Sequence, residues 1–324
     1  MIMATSLGAV AIPSSEVARM LLDRLPVLSC ARTWTEQAEA IIFQIRLPRV
    51  ATALVVGGAL AVAGAVFQGL LRNPMADPYL IGTSGGAALG ATIALLLPIR
   101  VVWYGFTLVP LAAFAGALIA VLMVYRIARV GPRTPITTLL LSGFAISSMM
   151  SAVMSFFMVI SGRTLHQVIL WTMGGVTASG WPQLQIVTPV ILVGMFVAYF
   201  LAGDLNAFLL GEEQAAHLGI NVERRKLILL MVGSLLTGAA VSVSGLVGFI
   251  GLVVPHVARL IFGPDHYLLL PASALLGSLF FVLADLLARV LMAPAEIPVG
   301  IITAMIGAPF FIYLLRQSKR EYVF

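Results

Sequence analysis

The sequence predicts an all-α, polytopic membrane protein. Hydrophobic residues make up 60% of the 324 residues and charged residues only 10%, so the interior of a water-soluble domain could not bury the apolar side chains. Uncharged runs long enough to cross a hydrocarbon core about 30 Å thick recur along the chain. The 19 lysines and arginines stand in ones to threes between these runs, as topology signals do, which argues against a nucleic-acid partner.

The N-terminal end predicts an incomplete first helix. The residues before Pro13 supply apolar positions for roughly 18 Å of helix, too little to cross a bilayer. We therefore expect a ten-helix bundle whose first helix is truncated in this chain, which leaves nine full spans. Two other interpretations stay open. The segment lies in the membrane interface, or it is a signal peptide, although no basic region precedes it.

The first full span is predicted over residues 50–71, with a polar loop at each end. Arg46 and Arg49 lie in the loop before it. The loop after it, RNPMADP, contains Pro74 and Pro78. Because prolines cannot continue a regular helix and restrict the residues that precede them, this loop is predicted to be a stiff turn.

Further spans follow, separated by short polar segments. The uncharged run after Lys226 is too long for one span, and Ser244 with Gly245 is the expected break within it. The predicted apolar runs cover residues 78–99, 101–125, 134–162, 182–203, 227–258, 267–284 and 297–315.

Basic clusters predict the orientation, because lysine and arginine concentrate on the cytoplasmic side of membrane proteins. The clusters that mark this side are Arg126, Arg129 and Arg133, then Arg224, Arg225 and Lys226, then Arg316, Lys319 and Arg320. Passing the spans between them places the C-terminus in the cytoplasm, together with Arg72 and Arg259. The arginines expected outside are Arg46, Arg49, Arg100, Arg163 and Arg289.

Several functional classes are disfavoured by the motifs that the sequence lacks. It has no GxxxxGK[ST] loop for nucleotide phosphates, so a partner must handle any ATP. Cys30 is the single cysteine, and no HExxH motif or metal-spaced cluster occurs, so we expect neither a catalytic centre nor a metal site. Acidic residues avoid the middle of the predicted spans, with Asp77, Asp285 and Glu296 near ends, which argues against a proton- or sodium-coupled transporter.

The longest polar insertion on the predicted cytoplasmic side is GEEQAAHLGINVERRK, residues 211–226. Glu212, Glu213 and Ala216 suit a short helix, after which Gly219 and Asn221 turn the chain. A short helix that carries both charge signs fits a docking surface for another protein. From composition alone, an ordinary amphipathic loop explains the segment as well as a docking surface does.

Four motifs in order carry a family resemblance. They are IRLPR at 45–49, QGLLRNPMADPYLIGTSGGAALGA at 68–91, LGEEQAAHLGI at 210–220 and GFIGLVVPHVARL at 248–260. From about residue 10 to residue 315 the chain resembles the FecCD-type permease subunits of ATP-binding-cassette importers for iron chelates, haem and cobalamin. The shortened first helix is the clear departure from that family.

The resemblance implies an assembly and a mechanism. Residues 1–324 would form one transmembrane permease domain in the cytoplasmic membrane of a bacterium or archaeon. Two copies pair, two ATPase subunits that carry ATP and Mg bind beneath them, and one periplasmic or lipid-anchored substrate-binding protein docks outside. The expected function is import of an iron chelate (haem or ferric siderophore) or a corrinoid such as cobalamin by alternating access, without a cofactor in this chain. The alternative is an ATP-independent channel or facilitator, and no residue constellation identifies the cargo.

The resemblance also implies site residues. Those that couple to the ATPase lie in a segment at about 204–226 and are Gly211, Glu212, Glu213, Ala216, Leu218 and Gly219. Those of the cytoplasmic gate are Asn73, Met75, Ile136 and Thr137. Those that dock the binding protein are Arg46, Arg49 and Arg289. The docking role has independent physical support, because guanidinium groups form bidentate pairs with carboxylates and these arginines oppose the positive-inside tendency. Snorkelling to lipid headgroups is the other interpretation.

A methionine stripe marks the helix predicted over residues 134–162. Met150, Met154 and Met158 are spaced at i, i+4 and i+8, so they share one helix face. The resemblance implies that this helix lines the central pathway, where flexible thioethers suit a conduit that must release its cargo. Ordinary helix packing explains the stripe equally well.

Overall fold

The computed structural model describes residues 1–8, 10–24, 32, 34–98, 107–176 and 180–321, and the regular elements among them are helices. The predicted all-α class is confirmed. Cys30 and Arg100 lie outside the described residues. The α-helices are α1 (Ile2–Ser6), α2 (Ser14–Asp23), α3 (Glu36–Ala40), α4 (Leu47–Leu70), α5 (Thr83–Leu96), α6 (Leu108–Ala128), α7 (Ile136–Ile160), α8 (Leu165–Thr172), α9 (Trp181–Phe200), α10 (Ala202–Leu210), α11 (Glu212–His217), α12 (Val222–Ser244), α13 (Ile250–Phe262), α14 (His266–Val290) and α15 (Val299–Glu321).

Six helical segments among the described residues are long and apolar enough to cross a membrane. They are Glu36–Leu70, Leu108–Ala128, Ile136–Ile160, Trp181–Phe200, Val222–Ser244 and His266–Val290. Three shorter apolar helices accompany them: Thr83–Leu96, Ile250–Phe262 and Val299–Leu314. The arrangement with nine full spans and a truncated first helix stays a prediction, because length and composition identify only the six.

The break predicted at Ser244 and Gly245 is confirmed. Helix α12 ends at Ser244, and Gly245 has φ +62°, a left-handed value that glycine adopts without a steric penalty. Residues 245–249 then connect α12 to α13, and Phe249 also has a positive φ, +69°.

The prediction of a loop at IRLPR is wrong. Residues 36–70 are one continuous helical segment, in which Ile41–Arg46 form a π-helical turn between α3 and α4. Pro48, in the first turn of α4, has no backbone N–H to donate to the preceding turn. The wider π turn lies directly before this proline, so the helix continues through both arginines.

Helix α4 lies at the centre of the molecule, in contact with α9, α12, α13 and α14. Glycines allow the closest approaches: a Cβ atom on Gly64 would lie 1.8 Å from the carbonyl oxygen of Gly251 in α13, and one on Gly57 would lie 2.3 Å from that of Gly277 in α14. Small residues let helix backbones approach in this way, which is how helices associate in lipid without a hydrophobic driving force. Helices α6, α7 and α9 instead keep much of their apolar surface exposed.

The charged residues gather at two ends of the bundle. At one end, Lys226 at the start of α12 reaches the carbonyl of Thr134, which directly follows Arg133. We call this the basic end. At the opposite end, Arg49 of α4 contacts Asp285 of α14. The positive-inside rule predicts that the basic end faces the cytoplasm.

Candidate functional site

The predicted stiff turn after α4 is confirmed. Arg72 has φ +50°, the Asn73 side-chain Oδ1 accepts a hydrogen bond from the Met75 backbone N–H at 2.9 Å, and the Asp77 carboxylate accepts one from the Tyr79 N–H at 2.8 Å. The Asp77 contact caps a short 3-10 helix, Pro78–Ile81. These local bonds hold the turn in one shape, so a displacement would move it as a unit.

The tip of this turn faces α13 and α15. Met75 and its neighbour Pro74 line a small cleft together with Leu252, Val253, His256, Phe311 and Leu314. Tyr79, just after the turn, bonds to one residue of the connection between α12 and α13: its hydroxyl donates to the Val247 carbonyl at 3.0 Å and accepts from the Val247 N–H at 3.1 Å. The turn is thus joined to the place where the helix breaks.

The other predicted gate residues lie in the first turn of α7. Ile136 is half-buried and Thr137 is exposed. Further along α7, Gly143 packs so closely on the 3-10 helix Pro78–Ile81 that a Cβ atom there would lie 2.3 Å from the Leu80 carbonyl oxygen. The two parts of the predicted gate are therefore linked through α7.

The short helix predicted within residues 211–226 is confirmed as α11. Gly211, with φ +118°, precedes it and Gly219, with φ +84°, ends it, while the Asn221 side chain accepts a hydrogen bond from the Arg224 N–H at 3.1 Å and caps α12. Leu218 is 65% exposed, and Glu213 and Ala216 are also exposed. The exposed positions of this segment therefore include both an acidic and an apolar side chain.

Helix α10, which precedes α11, is anchored to α14. The Asn206 side chain donates to the Asp265 carboxylate at 2.7 Å and accepts from the His266 backbone N–H at 2.9 Å. The hydrogen bond from Asn206 is the main reason that the pKa of Asp265 is lowered. This contact holds α10, the helix just before α11, against the start of α14.

Lys226 is a buried cation whose contacts the sequence does not predict; from the sequence it is expected only as part of a cytoplasmic basic cluster at the end of the polar insertion. It is 5% exposed, and its Nζ lies 2.7 Å from Glu212 Oε2 and 3.1 Å from both Glu223 Oε1 and the Thr134 carbonyl oxygen. The spacing of Glu223 and Lys226, three residues apart on a helix, was a signal for one of these contacts. The other two join parts of the chain that are distant in sequence.

The arginines predicted to dock a partner are buried at the opposite end. Arg49 is 6% exposed; its Nε donates to Asp285 Oδ1 at 2.9 Å, and its Nη1 donates to both carboxylate oxygens of Glu296 at 2.9 Å. Arg289 is 5% exposed, and its Nε lies 3.0 Å from Asp285 Oδ2. Asp285, itself fully buried, therefore compensates two guanidinium groups.

Carbonyl oxygens of the N-terminal segment accept the other hydrogen bonds from Arg46 and Arg289. Arg46 Nη1 donates to the Thr5 and Ser6 carbonyls at 3.0 and 2.9 Å, and Arg46 Nη2 donates to the Val10 carbonyl. Arg289 donates to the carbonyls of Ala4 and Leu7. A cavity of about 220 Å³ beside these groups is lined by residues that include Gly8, Arg46, Arg49, Arg289 and Glu296. The three arginines lie close together, but their guanidinium groups already donate to carboxylate and carbonyl oxygens of the same chain.

The methionine stripe shares one face of α7 but differs in burial. Met150 is 7% exposed and faces α5, where a Cβ atom on Gly85 would lie 3.5 Å from the Met150 Cβ. Met154 and Met158 are half-buried. Met150 thus has a helix-packing role, whereas the other two present surface that α5 does not cover.

A family model described as the FecCD transport family matches residues 1–317. The chain belongs to the FecCD transport family. It is 46% identical to the cobalamin import system permease protein BtuC of Halobacterium salinarum, over 97% of this chain and 88% of that protein. It is 42% identical to the hemin transport system permease protein HmuU of Yersinia pestis, over 87% and 84%. A solved structure, described as an inward-facing conformation of a protein assigned to the metal-chelate type of ABC transporter, matches with a TM-score of 0.79 and 31% identity, over 98% of this chain and 94% of that one.

Membership of the FecCD family fixes the class of the protein. The chain is a permease subunit of an ATP-binding-cassette importer of the iron-chelate, haem and cobalamin type, and it is not an enzyme. ATP hydrolysis belongs to a separate ATPase. The stiff turn after α4, α11 and the arginine cluster are therefore parts of a transport subunit.

We predict that Asp285→Asn destabilises this FecCD-family permease strongly, because it leaves two buried guanidinium groups without their shared carboxylate. The expected loss is about 3 kcal/mol or more. Glu296→Gln is the matched control: it also removes a carboxylate from Arg49, but the Glu296 side chain is 38% exposed, so a loss of about 1 kcal/mol or less is expected. Thermal midpoints of the purified proteins in detergent measure the difference, and equal midpoints for the two variants would contradict the assigned role of Asp285.

Proposed function

We propose that two copies of this permease import an iron chelate, haem or ferric siderophore, or a corrinoid such as cobalamin, across the cytoplasmic membrane of a bacterium or archaeon. Two ATPase subunits bind the basic end, one periplasmic or lipid-anchored binding protein docks at the opposite end, and the C-terminus faces the cytoplasm. The names of the cobalamin and hemin relatives support this range of cargoes. Transport proceeds by alternating access, with ATP and Mg held by the partner ATPase.

The observation that carries the proposal is the position of α11. This helix stands at the basic end between two glycines with positive φ, exposes Leu218, and is held to α12 by an ion pair. Gly211, Glu212, Glu213, Ala216, Leu218 and Gly219 are the proposed contacts to the ATPase. An ATP-independent channel or facilitator has no use for such a surface, so this observation favours the ATP-driven alternative.

The proposed cytoplasmic gate consists of the stiff turn and the start of α7. Asn73 and Met75 at the turn, with Ile136 and Thr137 on α7, would meet their symmetry mates when the inner gate is closed. Met154 and Met158, with Met150 behind them, would line the pathway above the gate. An unbranched methionine supports this role because its flexible thioether fills a gap without locking it.

The proposed docking site uses Arg46, Arg49 and Arg289. Carboxylates of the binding protein suit these guanidinium groups, and they would replace the carbonyl oxygens of residues 4–10 as acceptors. Arg46 is the best candidate for first contact, because its acceptors are carbonyls of the N-terminal segment, whereas Arg49 is paired with Asp285.

Reconstituted transport tests the function directly. The permease, its ATPase and its binding protein are placed in proteoliposomes, and uptake of hemin, a ferric siderophore and cyanocobalamin is measured separately. We expect ATP-dependent accumulation of at least one of the three. Uptake that is equal with and without ATP, and that persists without the ATPase, would favour the facilitator.

A cysteine at Met75 tests the gate. In a Cys30→Ser background, Met75→Cys should crosslink between the two copies in some nucleotide states and not in others, because the turn moves as a unit toward and away from the dimer axis. The background protein without any cysteine is the control for unspecific products. A yield of zero, or one that is independent of nucleotide, would show that Met75 is not part of a moving gate.

Charge reversal at Arg46 tests the docking site. Arg46→Glu should weaken binding of the binding protein at least about tenfold, since it places like charges against the partner. Arg24→Glu is the control, because the Arg24 side chain is 65% exposed and pairs with Glu39 outside the cluster. Affinity is measured on variants whose thermal midpoints are also recorded. Wild-type affinity for the Arg46 variant would rule out this site.

A further inference from the structure

Three separate parts of the chain meet at the Lys226 ammonium group. Glu212 is the first residue of α11, Glu223 lies in the first turn of α12, and Thr134 lies two residues before α7. The Nζ distances are 2.7 Å to Glu212, 3.1 Å to Glu223 and 3.1 Å to the Thr134 carbonyl. A lysine ammonium has three N–H donors, so these three contacts use all of them.

Burial makes this junction resistant to separation. Lys226 is 5% exposed, and a buried charge that loses a partner keeps the cost of its desolvation. If α11 moved away alone, Lys226 would lose one of its two carboxylate partners. The lower-energy response is for the lysine, and the carbonyl that it holds, to follow Glu212.

The carbonyl that Lys226 holds belongs to the segment that starts α7. Thr134 and Pro135 lead directly into Ile136. The Thr138 hydroxyl lies 2.8 Å from the Pro135 carbonyl and 2.9 Å from the Ala128 carbonyl at the end of α6. A displacement of Thr134 is therefore passed to the first turn of α7.

We infer that Lys226 is a positioning residue that carries movement of α11 to the first turn of α7, where Ile136 and Thr137 lie. This inference rests on the proposed function, because it needs α11 to be the part that the ATPase moves. It adds a physical connection between the coupling helix and the gate. The neighbouring Arg225 does not share this role: it pairs with Asp204 of α10 and its side chain is 42% exposed.

The test compares variants in proteoliposomes by the number of cargo molecules transported per ATP hydrolysed. Lys226→Met should lower this ratio about tenfold or more, within the usual range of coupling free energies, while the complex still hydrolyses ATP. Arg225→Met is the matched control and should keep the ratio within about twofold of wild type. A residue that only stabilises the fold would reduce the amount of active protein but leave the ratio unchanged.

A second pair of variants separates the link to α11 from the general loss of a negative charge beside Lys226. Glu212→Ala and Glu223→Ala each remove one carboxylate from Lys226, but only Glu212 belongs to α11, whereas Glu223 belongs to α12 and also interacts with Thr134. The inference expects a low ratio for Glu212→Ala and a ratio within about twofold of wild type for Glu223→Ala. If Lys226→Met does not fold, equal ratios for this pair still overturn the inference. Co-purification of the ATPase with Glu212→Ala checks that the complex still assembles.

A cysteine at Thr137 provides the structural readout. In a Cys30→Ser background, Thr137→Cys should crosslink between copies in a nucleotide-dependent way when Lys226 is present. With Lys226→Met added, the crosslinking should no longer depend on nucleotide. Equal ratios for Lys226→Met and Arg225→Met, or for the two glutamate variants, would overturn the inference. Absence of ATP-dependent transport in the wild-type complex would instead count against the proposed function, so the two failures are distinguishable.

Discussion

A charge buried in an apolar bundle must be compensated by the chain itself, and this constraint governs both ends of the molecule. At one end Asp285 lies between Arg49 and Arg289 and ties α4 to α14. At the other end Lys226 ties α11, α12 and the approach to α7 together. In water such pairs would contribute little, but where solvent is excluded each partner is costly to remove. The proposed functional surfaces therefore lie beside charge-paired junctions.

Between the two charged ends, packing depends on small residues. Gly57 and Gly64 of α4 lie against backbone carbonyls of α14 and α13, and almost the whole length of α4 is buried. Close approach of this kind maximises dispersion contacts, which replace the hydrophobic effect in lipid. The peripheral helices α6, α7 and α9 expose more apolar surface, which lipid tails can cover, but α6 and α7 also have glycines in close contact with neighbouring backbone, Gly116 with Gly86 and Gly143 with Leu80.

Features that arise from local chemistry were predictable from the sequence. The turn at Pro74, the short helix before Gly219 and the break at Gly245 each follow from residues within a few positions, and the structure has all three. The continuous helix through Pro48 was not predictable, because it depends on a π turn that no residue pattern announced. Burial of the charges was also missed, since Arg49 and Asp285 are 236 positions apart and Lys226 and Thr134 are 92 apart. The resemblance supplied the roles of the site residues but not these contacts.

The bond between Tyr79 and Val247 has a consequence for how a broken helix survives in lipid. Where α12 stops, Val247 loses the partners that another helical turn would provide, and an unpaired buried amide group costs about 1–3 kcal/mol. One phenolic hydroxyl donates to its carbonyl and accepts from its N–H, so a side chain serves as a surrogate for the missing turn. The backbone of the irregular connection is thereby satisfied by a side chain from the segment beside the proposed gate, and a rearrangement of either one has to break or carry along these two hydrogen bonds.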